Sequence, residues 1–211
     1  METLRARRPD AAIGSFNGLS SHMGRILAID YGRKRTGLAV TDPLQIIANA
    51  LDTVPTHTLM DYVKSYAAAN AVDAIVIAGM GGTTIASILE KGKAKIGNAR
   101  LILQANVAIP ELRERLSALG YRISDEKLVR DGRRFYIVIC AERGSAEYGE
   151  IEKIAGPVLV RNQPEGFVDY ANYRLGIAKK ARDGAVRGGE NVSELESEIR
   201  AWEACLNDER S

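Results

Sequence analysis

Cysteine is almost missing from this chain of 211 residues. Cys140 and Cys205 lie far apart in apolar or helical patterns, so neither a disulfide framework nor a zinc site is expected, and both read as buried free thiols. Long apolar runs are missing too. No stretch approaches the roughly 18 uninterrupted apolar residues of a membrane span. Residues 1–22 lack the apolar core of a signal peptide, having only Arg5, Arg7 and Arg8 amid Ala, Gly and Ser. The chain therefore reads as cytosolic, with no membrane partner. Neither sign of charge dominates, since 29 Lys and Arg face 27 Asp and Glu, a net +2 that by itself does not indicate nucleic-acid binding. Internal repeats and low-complexity runs are absent. What remains is ordinary globular usage, 45% hydrophobic and 27% charged, which excludes a disordered chain, a collagen and a coiled-coil rod.

The distribution of charge says more than its sum. Residues 73–142 are mildly basic and the tail from 143 is acidic. Positive residues cluster as Arg33-Lys34-Arg35, as Lys91, Lys93 and Lys95, and as Arg130, Arg133 and Arg134. Each cluster adjoins a Gly-containing turn, where phosphate can approach the backbone; solvated loop charge is the plainer alternative. Residues 1–22 show neither helical nor strand periodicity and read as a disordered tail.

From Arg25 the pattern changes. Ile26-Leu27-Ala28-Ile29 is a short apolar run closed by Asp30-Tyr31-Gly32, a buried strand that carries a carboxylate to its C-terminal end. Thr36–Val40 and Ile46–Val54 follow after turns too short for a crossover helix, which predicts an antiparallel meander. Pro55-Thr56-His57-Thr58 offers a helix start, and Leu59, Tyr62, Val63 and Tyr66 recur at helical spacing to about Asn70. Ala74–Ala78 is the next strand, reached through that helix and so parallel to the first. Gly79-Met80-Gly81-Gly82 leads into a helix over about 83–93, Leu101–Gln104 is a strand, and Ile109-Pro110-Glu111 opens a helix that Gly120 ends. A hairpin over Tyr121–Val129 and Phe135–Ala141 turns at Asp131-Gly132. Beyond Gly156-Pro157 the pattern predicts two helices in a hairpin, split by Gly184 and Gly188-Gly189. Leu195, Ile199, Trp202 and Leu206 read as packing residues.

Residues Gly24 to Gly37, with Ala39-Val40-Thr41-Asp42-Pro43, resemble the start of the YqgF family, RNase H-like pre-16S rRNA nucleases also described as candidate Holliday-junction resolvases. That likeness spans about residues 23–72, roughly the first half of such a protein. From about Asp73 the chain instead resembles the tRNA adenine-22 N1-methyltransferase family, TrmK, through Ile77-Ala78-Gly79-Met80-Gly81-Gly82, Arg100–Gln104, Asp131-Gly132 with Tyr136, and Gly156-Pro157. The chain reads as a chimera whose seam, near Ala71–Val76, falls on the strand that has the same role in both folds. The two resemblances imply an α/β fold with a single mixed sheet of order 3-2-1-4-5-7-6: an RNase H-like meander fused to the second half of a Rossmann-like methyltransferase. They divide the chain into a tail over 1–22, a fused α/β domain over 23–155 that is nuclease-like to 72, and a helical hairpin over 156–211.

Each resemblance also implies chemistry. RNase H-type nucleases hold two metal ions between several carboxylates. Asp30 matches the first of these and is the only nuclease-type acid retained; the later ones fall in the exchanged region, so no metal site and no Mg are expected, and nuclease activity is the remote reading. The methyltransferase likeness implies S-adenosylmethionine. It points to Gly79, Met80, Gly81 and Gly82 on the target-base side, the plain alternative being a tight strand-to-helix turn, and to Asp30, Gly32, Gly79 and Gln104 as cofactor-binding candidates. The N-terminal half of that cofactor site is replaced. The helical extension resembles one used on tRNA, which makes Lys179, Lys180 and Arg182 at its tip, with Arg33, Lys34 and Arg35, the candidate contacts to tRNA or another structured RNA. The leading reading is a methyltransferase-like tRNA-binding protein. The alternative is a non-enzymatic protein-binding module, inhibitor or antitoxin-like, on a chimeric scaffold.

Overall fold

Alternating burial along the first strand sets the geometry of the molecule: Leu27 and Ile29 turn inward, while Ile26 and Ala28 turn to the opposite face. The computed structural model describes residues 25–32, 34–70, 72–93 and 96–207. The tail expected over 1–22 lies outside the described residues. Seven strands form one sheet, β1 (Arg25–Tyr31), β2 (Arg35–Thr41), β3 (Ala48–Pro55), β4 (Val72–Gly81), β5 (Arg100–Val107), β6 (Tyr121–Asp131) and β7 (Arg134–Arg143). Their order is β3-β2-β1-β4-β5-β7-β6, as the two resemblances imply. β1 pairs antiparallel with β2 and parallel with β4; β4 and β5 are parallel, and the β6–β7 hairpin closes the sheet antiparallel.

Helices α1 (Leu59–Ala69), α2 (Gly82–Gly92) and α3 (Ile109–Ala118) follow β3, β4 and β5. α2 buries Ile85, Ile88 and Leu89, spaced three and four apart, against the inward side chains Ile75, Ile77, Leu101 and Leu103. One contiguous core results, on one face of the sheet. On the other face Ile26, Ala28, Val76, Ala78, Ile102 and Val138 remain only partly buried and stand outside that core.

Residues 56–58 form a 3-10 turn, not a side-chain cap: the Thr58 hydroxyl donates back to Pro55 O. After β7 the chain makes two short helices, α4 (Glu150–Ala155) and α5 (Pro157–Asn162), before the hairpin of α6 (Phe167–Gly188) and α7 (Ser193–Asn207). Six residues are too few to display a 3.6-residue period, so α4 and α5 do not stand out in the sequence. Gly184 lies within α6, and the break comes at Gly188-Gly189. Trp202 is fully buried and Ile199 nearly so, in the packing role expected of them. Cys140 and Cys205 are buried free thiols.

The tail is fastened through a buried ion pair. Arg113 on α3 donates from Nε to Glu126 Oε1 on β6 at 2.9 Å, and from Nη1 to Lys153 O and Ile154 O at the end of α4. The other carboxylate oxygen accepts the Val158 amide of α5 at 2.9 Å. No helix among the described residues is long and apolar enough to cross a membrane.

Candidate functional site

The Gly79-Met80-Gly81-Gly82 segment is not a free loop. Its first three residues end β4 in an irregular register against β5, and Gly82 opens α2. Met80 packs in the core, and Gly82 is buried because a Cβ there would stand 2.0 Å from Ala108 O. Neither faces a ligand: the strand pleat sends Met80 inward, and the approach of α2 to the start of α3 requires Gly82. Gly79 is the exposed member, with φ of 85° and open space where a Cβ would be. Its peptide is clasped by two side chains of β5. Gly79 N–H donates to Gln104 Oε1 at 2.9 Å, Asn106 Nδ2 donates to Gly79 O at 2.9 Å, and Gln104 Nε2 donates to Asn106 Oδ1 at 3.1 Å.

Gln104 and Asn106 also line a cavity of about 550 Å3 between the carboxyl end of β5, the start of β7 and α6. Its remaining walls include Phe135, Tyr136, Tyr173 and Arg174. In a chain with 8 Tyr, 3 Phe and 1 Trp, this gathering is concentrated. Phe135 lies 5.4 Å from Tyr173 and 5.5 Å from Tyr170 between ring centroids, and Tyr170 meets Trp202 edge-on at 5.4 Å. Burial holds the Tyr170 hydroxyl above the usual phenol range, so it stays a neutral donor. Arg174 pairs with Glu198 at 2.7 Å, yet its buried Nε has no hydrogen-bond partner. Flat aromatic walls, two amide side chains and a guanidinium are what a nucleobase or nucleotide would meet favourably. Asn106, Phe135, Tyr173 and Arg174 escape a reading of the sequence. The available signal was aromatic enrichment at the two ends of one cleft, but the ends are nearly forty positions apart.

The opposite half of the methyltransferase-type cofactor site does not fit. After β1 the chain turns straight back as β2, so no helix aims its amides at a ligand. A Cβ on Gly32 would stand 2.3 Å from Arg35 O, so glycine is required for the tight turn. Asp42, after β2, spends its carboxylate on the amides of Leu44, Ile46 and Ile47. Asp30 is exposed beside Gly37 in a shallow trough of the sheet face that also holds Asp52. Asp52 accepts the Thr53 amide at 2.7 Å. Two carboxylates are a poor cradle for two metal ions. Among the described residues no three metal-ligating side chains come together.

The RNA candidates are dispersed. Lys179 is paired with Glu203 of α7 at 2.8 Å and Arg182 with Asp183 at 2.7 Å, while Lys180 is exposed. Arg35 donates to Thr53 O across the β2–β3 pair. Lys34 stands beside a different cavity, between the β1–β2 turn and α2. Arg33 lies outside the described residues.

Comparison with known proteins separates the two parts of the chain. Residues 45–203 match the family model of tRNA (adenine(22)-N(1))-methyltransferase, TrmK. A candidate pre-16S rRNA nuclease of Porphyromonas gingivalis is 66% identical over 55 residues, which are 26% of this chain and 40% of that protein. A candidate tRNA (m1A22) methyltransferase of Streptococcus pneumoniae, solved with S-adenosyl-L-methionine, has a TM-score of 0.57 at 31% identity over 64% of this chain and 60% of that one. The m1A22 tRNA methyltransferase TrmK of B. subtilis has a TM-score of 0.57 at 28% identity, over 64% of each chain. This chain thus spans less than half the length of the nuclease relative and under two thirds of either methyltransferase.

Proposed function

Because this chain belongs to the tRNA (adenine(22)-N(1))-methyltransferase family through residues 45–203, with a nuclease-type segment at its front, we propose that it is a tRNA-binding protein that has kept the family's RNA-facing half and lost its cofactor cradle. The observation that carries this reading is the aromatic cavity over Gln104 and Asn106, which lies within the methyltransferase-like part, set against the closed turn at Gly32 where the cofactor loop would stand. In the cavity a splayed base stacks on Phe135 and Tyr173, the β5 amides read its edge, and the Arg174 guanidinium adds positive charge to the wall. Lys180, exposed in the second half of α6, and Lys34 beside the β1–β2 turn add phosphate contacts that are tolerant of sequence. The residues after β1 and β2 are committed to turns, which leaves methyl transfer without a cofactor loop there.

Two measurements on the full chain test this. Fluorescence anisotropy with tRNA should give saturable binding that weakens steeply with salt, and Tyr173→Ala should cost about 1–3 kcal/mol of affinity, the worth of one stacked base. Calorimetry with S-adenosylmethionine should give no saturable heat. Absent tRNA binding at low salt overturns the RNA reading; micromolar cofactor binding overturns the loss of the cradle.

A further inference from the structure

The cavity beside Lys34 is built by the join itself. Lys34, Thr56 and His57 reach it from the nuclease-like segment, and Thr84, Ser87 and Lys91 reach it from α2 of the methyltransferase-like segment, around about 560 Å3. Residues 45–203 match the methyltransferase family model, so Tyr31 and Lys34 are the lining residues that lie outside it. The cavity lies between the β1–β2 turn, the 3-10 turn over 56–58 and one face of α2.

Its two walls are fixed before any ligand arrives. The Thr56 amide donates to Lys34 O at 3.0 Å, and its hydroxyl donates to Gly32 O at 2.7 Å, where the tight glycine turn has already set the backbone. Lys34 is thereby held by its own main chain against the start of the 3-10 turn. On the other side Thr84, Ser87 and Lys91 follow at spacings of three and four along α2 and share one face of that helix. The lining combines two ammonium groups, an imidazole and hydroxyls, with no carboxylate. Among the described residues neither lysine has an ion-pair partner.

We propose that this cavity binds a phosphate group, with Lys34 and Lys91 closing on its charge from opposite walls and the α2 hydroxyls donating to its oxygens. A phosphate carries several acceptor oxygens and a charge that two ammonium groups balance, so it uses this donor-rich, carboxylate-free lining better than a neutral ligand does. The group can come from an RNA backbone or from a small phosphorylated compound, and the test separates the two.

Calorimetry of the full chain with pyrophosphate should give saturable binding. The double substitution Lys34→Gln with Lys91→Gln should weaken it at least about tenfold, equivalent to a loss of roughly 1.4 kcal/mol. Lys91→Arg, which keeps the charge, should restore most of the affinity lost in Lys91→Gln, and Arg161→Gln on α5 should leave it unchanged. An unaltered melting temperature in the double variant assigns the loss to the cavity. If the double variant also binds tRNA more weakly, the phosphate belongs to RNA; if tRNA affinity is unchanged, it belongs to a small phosphorylated compound. Absence of pyrophosphate binding at millimolar concentration, or binding that survives the double substitution, overturns the proposal. Loss of the aromatic-cavity reading would leave this result untouched, because Tyr173→Ala alters a different cleft.

Discussion

At the scale of single residues, the molecule depends most on a charge pair that touches no water. Arg113 and Glu126 are 1% and 0% exposed, and between them they hold α3, β6, α4 and the first turn of α5. Gly156 makes the arrangement sterically admissible: its φ is 105°, and a Cβ there would lie 2.6 Å from Glu126 Oε2 and 2.7 Å from Arg113 Nη2. Removing one member leaves the other charged and desolvated. Glu126→Ala is therefore expected to cost about 3–5 kcal/mol in urea unfolding. The exposed pair of Arg130 with Asp169, at 3.2 Å, should by contrast lose about 0–1 kcal/mol in Arg130→Ala. Equal costs for the two would show that the buried pair is not the fastening. Sequence pattern reads Arg113 as one more polar residue on an amphipathic helix, because nothing local announces that β6 will present a carboxylate there.

At the scale of elements, the β2–β3 connection is ordered by one carboxylate. Asp42 accepts the amides of Ile47 at 2.7 Å and Ile46 at 2.8 Å, and these bonds, Ile47 first, hold its pKa below the ordinary 3.8. A depressed folded-state pKa means that the stabilisation is present above the unfolded value and is lost as pH falls through the lower folded one. The amide resonances of Ile46 and Ile47 should therefore titrate with a midpoint below 3.8, and Asp42→Asn should abolish that dependence. A titration centred well above that range would exclude the carboxylate as the organiser. The loop also explains why β3 begins at Ala48 although Ile46 and Ile47 read as strand. Their amides are diverted to Asp42, and their side chains are left 75% and 59% exposed.

At the scale of the whole molecule, the fusion has unequal faces. Parallel strands ordinarily lie between two helical layers, because the crossover helices that connect them cover both sides. Here β1 is followed by a meander whose short turns carry no helix, so the side where Ile26, Val76 and Ile102 stand receives no comparable layer among the described residues. Adjacent positions on β4 should then respond very differently. Ile77→Ala, in the core at 1% exposure, should cost about 2–5 kcal/mol, whereas Val76→Ala should cost less than half as much in the same denaturant titration. Similar losses would mean that the second face is covered in solution.

Sequence alone determined the meander, the parallel fourth strand and the final hairpin, and the resemblance to two families implied the sheet order. Short apolar runs, connections too short or long enough for a crossover, and quoted motifs at each end of the seam are all local properties, and together they admit one sheet. Tertiary structure alone decided which side chains meet. Phe135 faces Tyr173 only once α6 docks beside β7, and Lys34 faces Lys91 only once α2 of one segment packs beside the β1–β2 turn of the other. Local periodicity tells which way a side chain points from its own element, but the distance between two elements is set by how their buried faces pack. For the same reason the motif offers Gln104 as a candidate, while Asn106, two positions on along the same strand, is distinguished only by the tertiary contact through which its amide clasps Gly79.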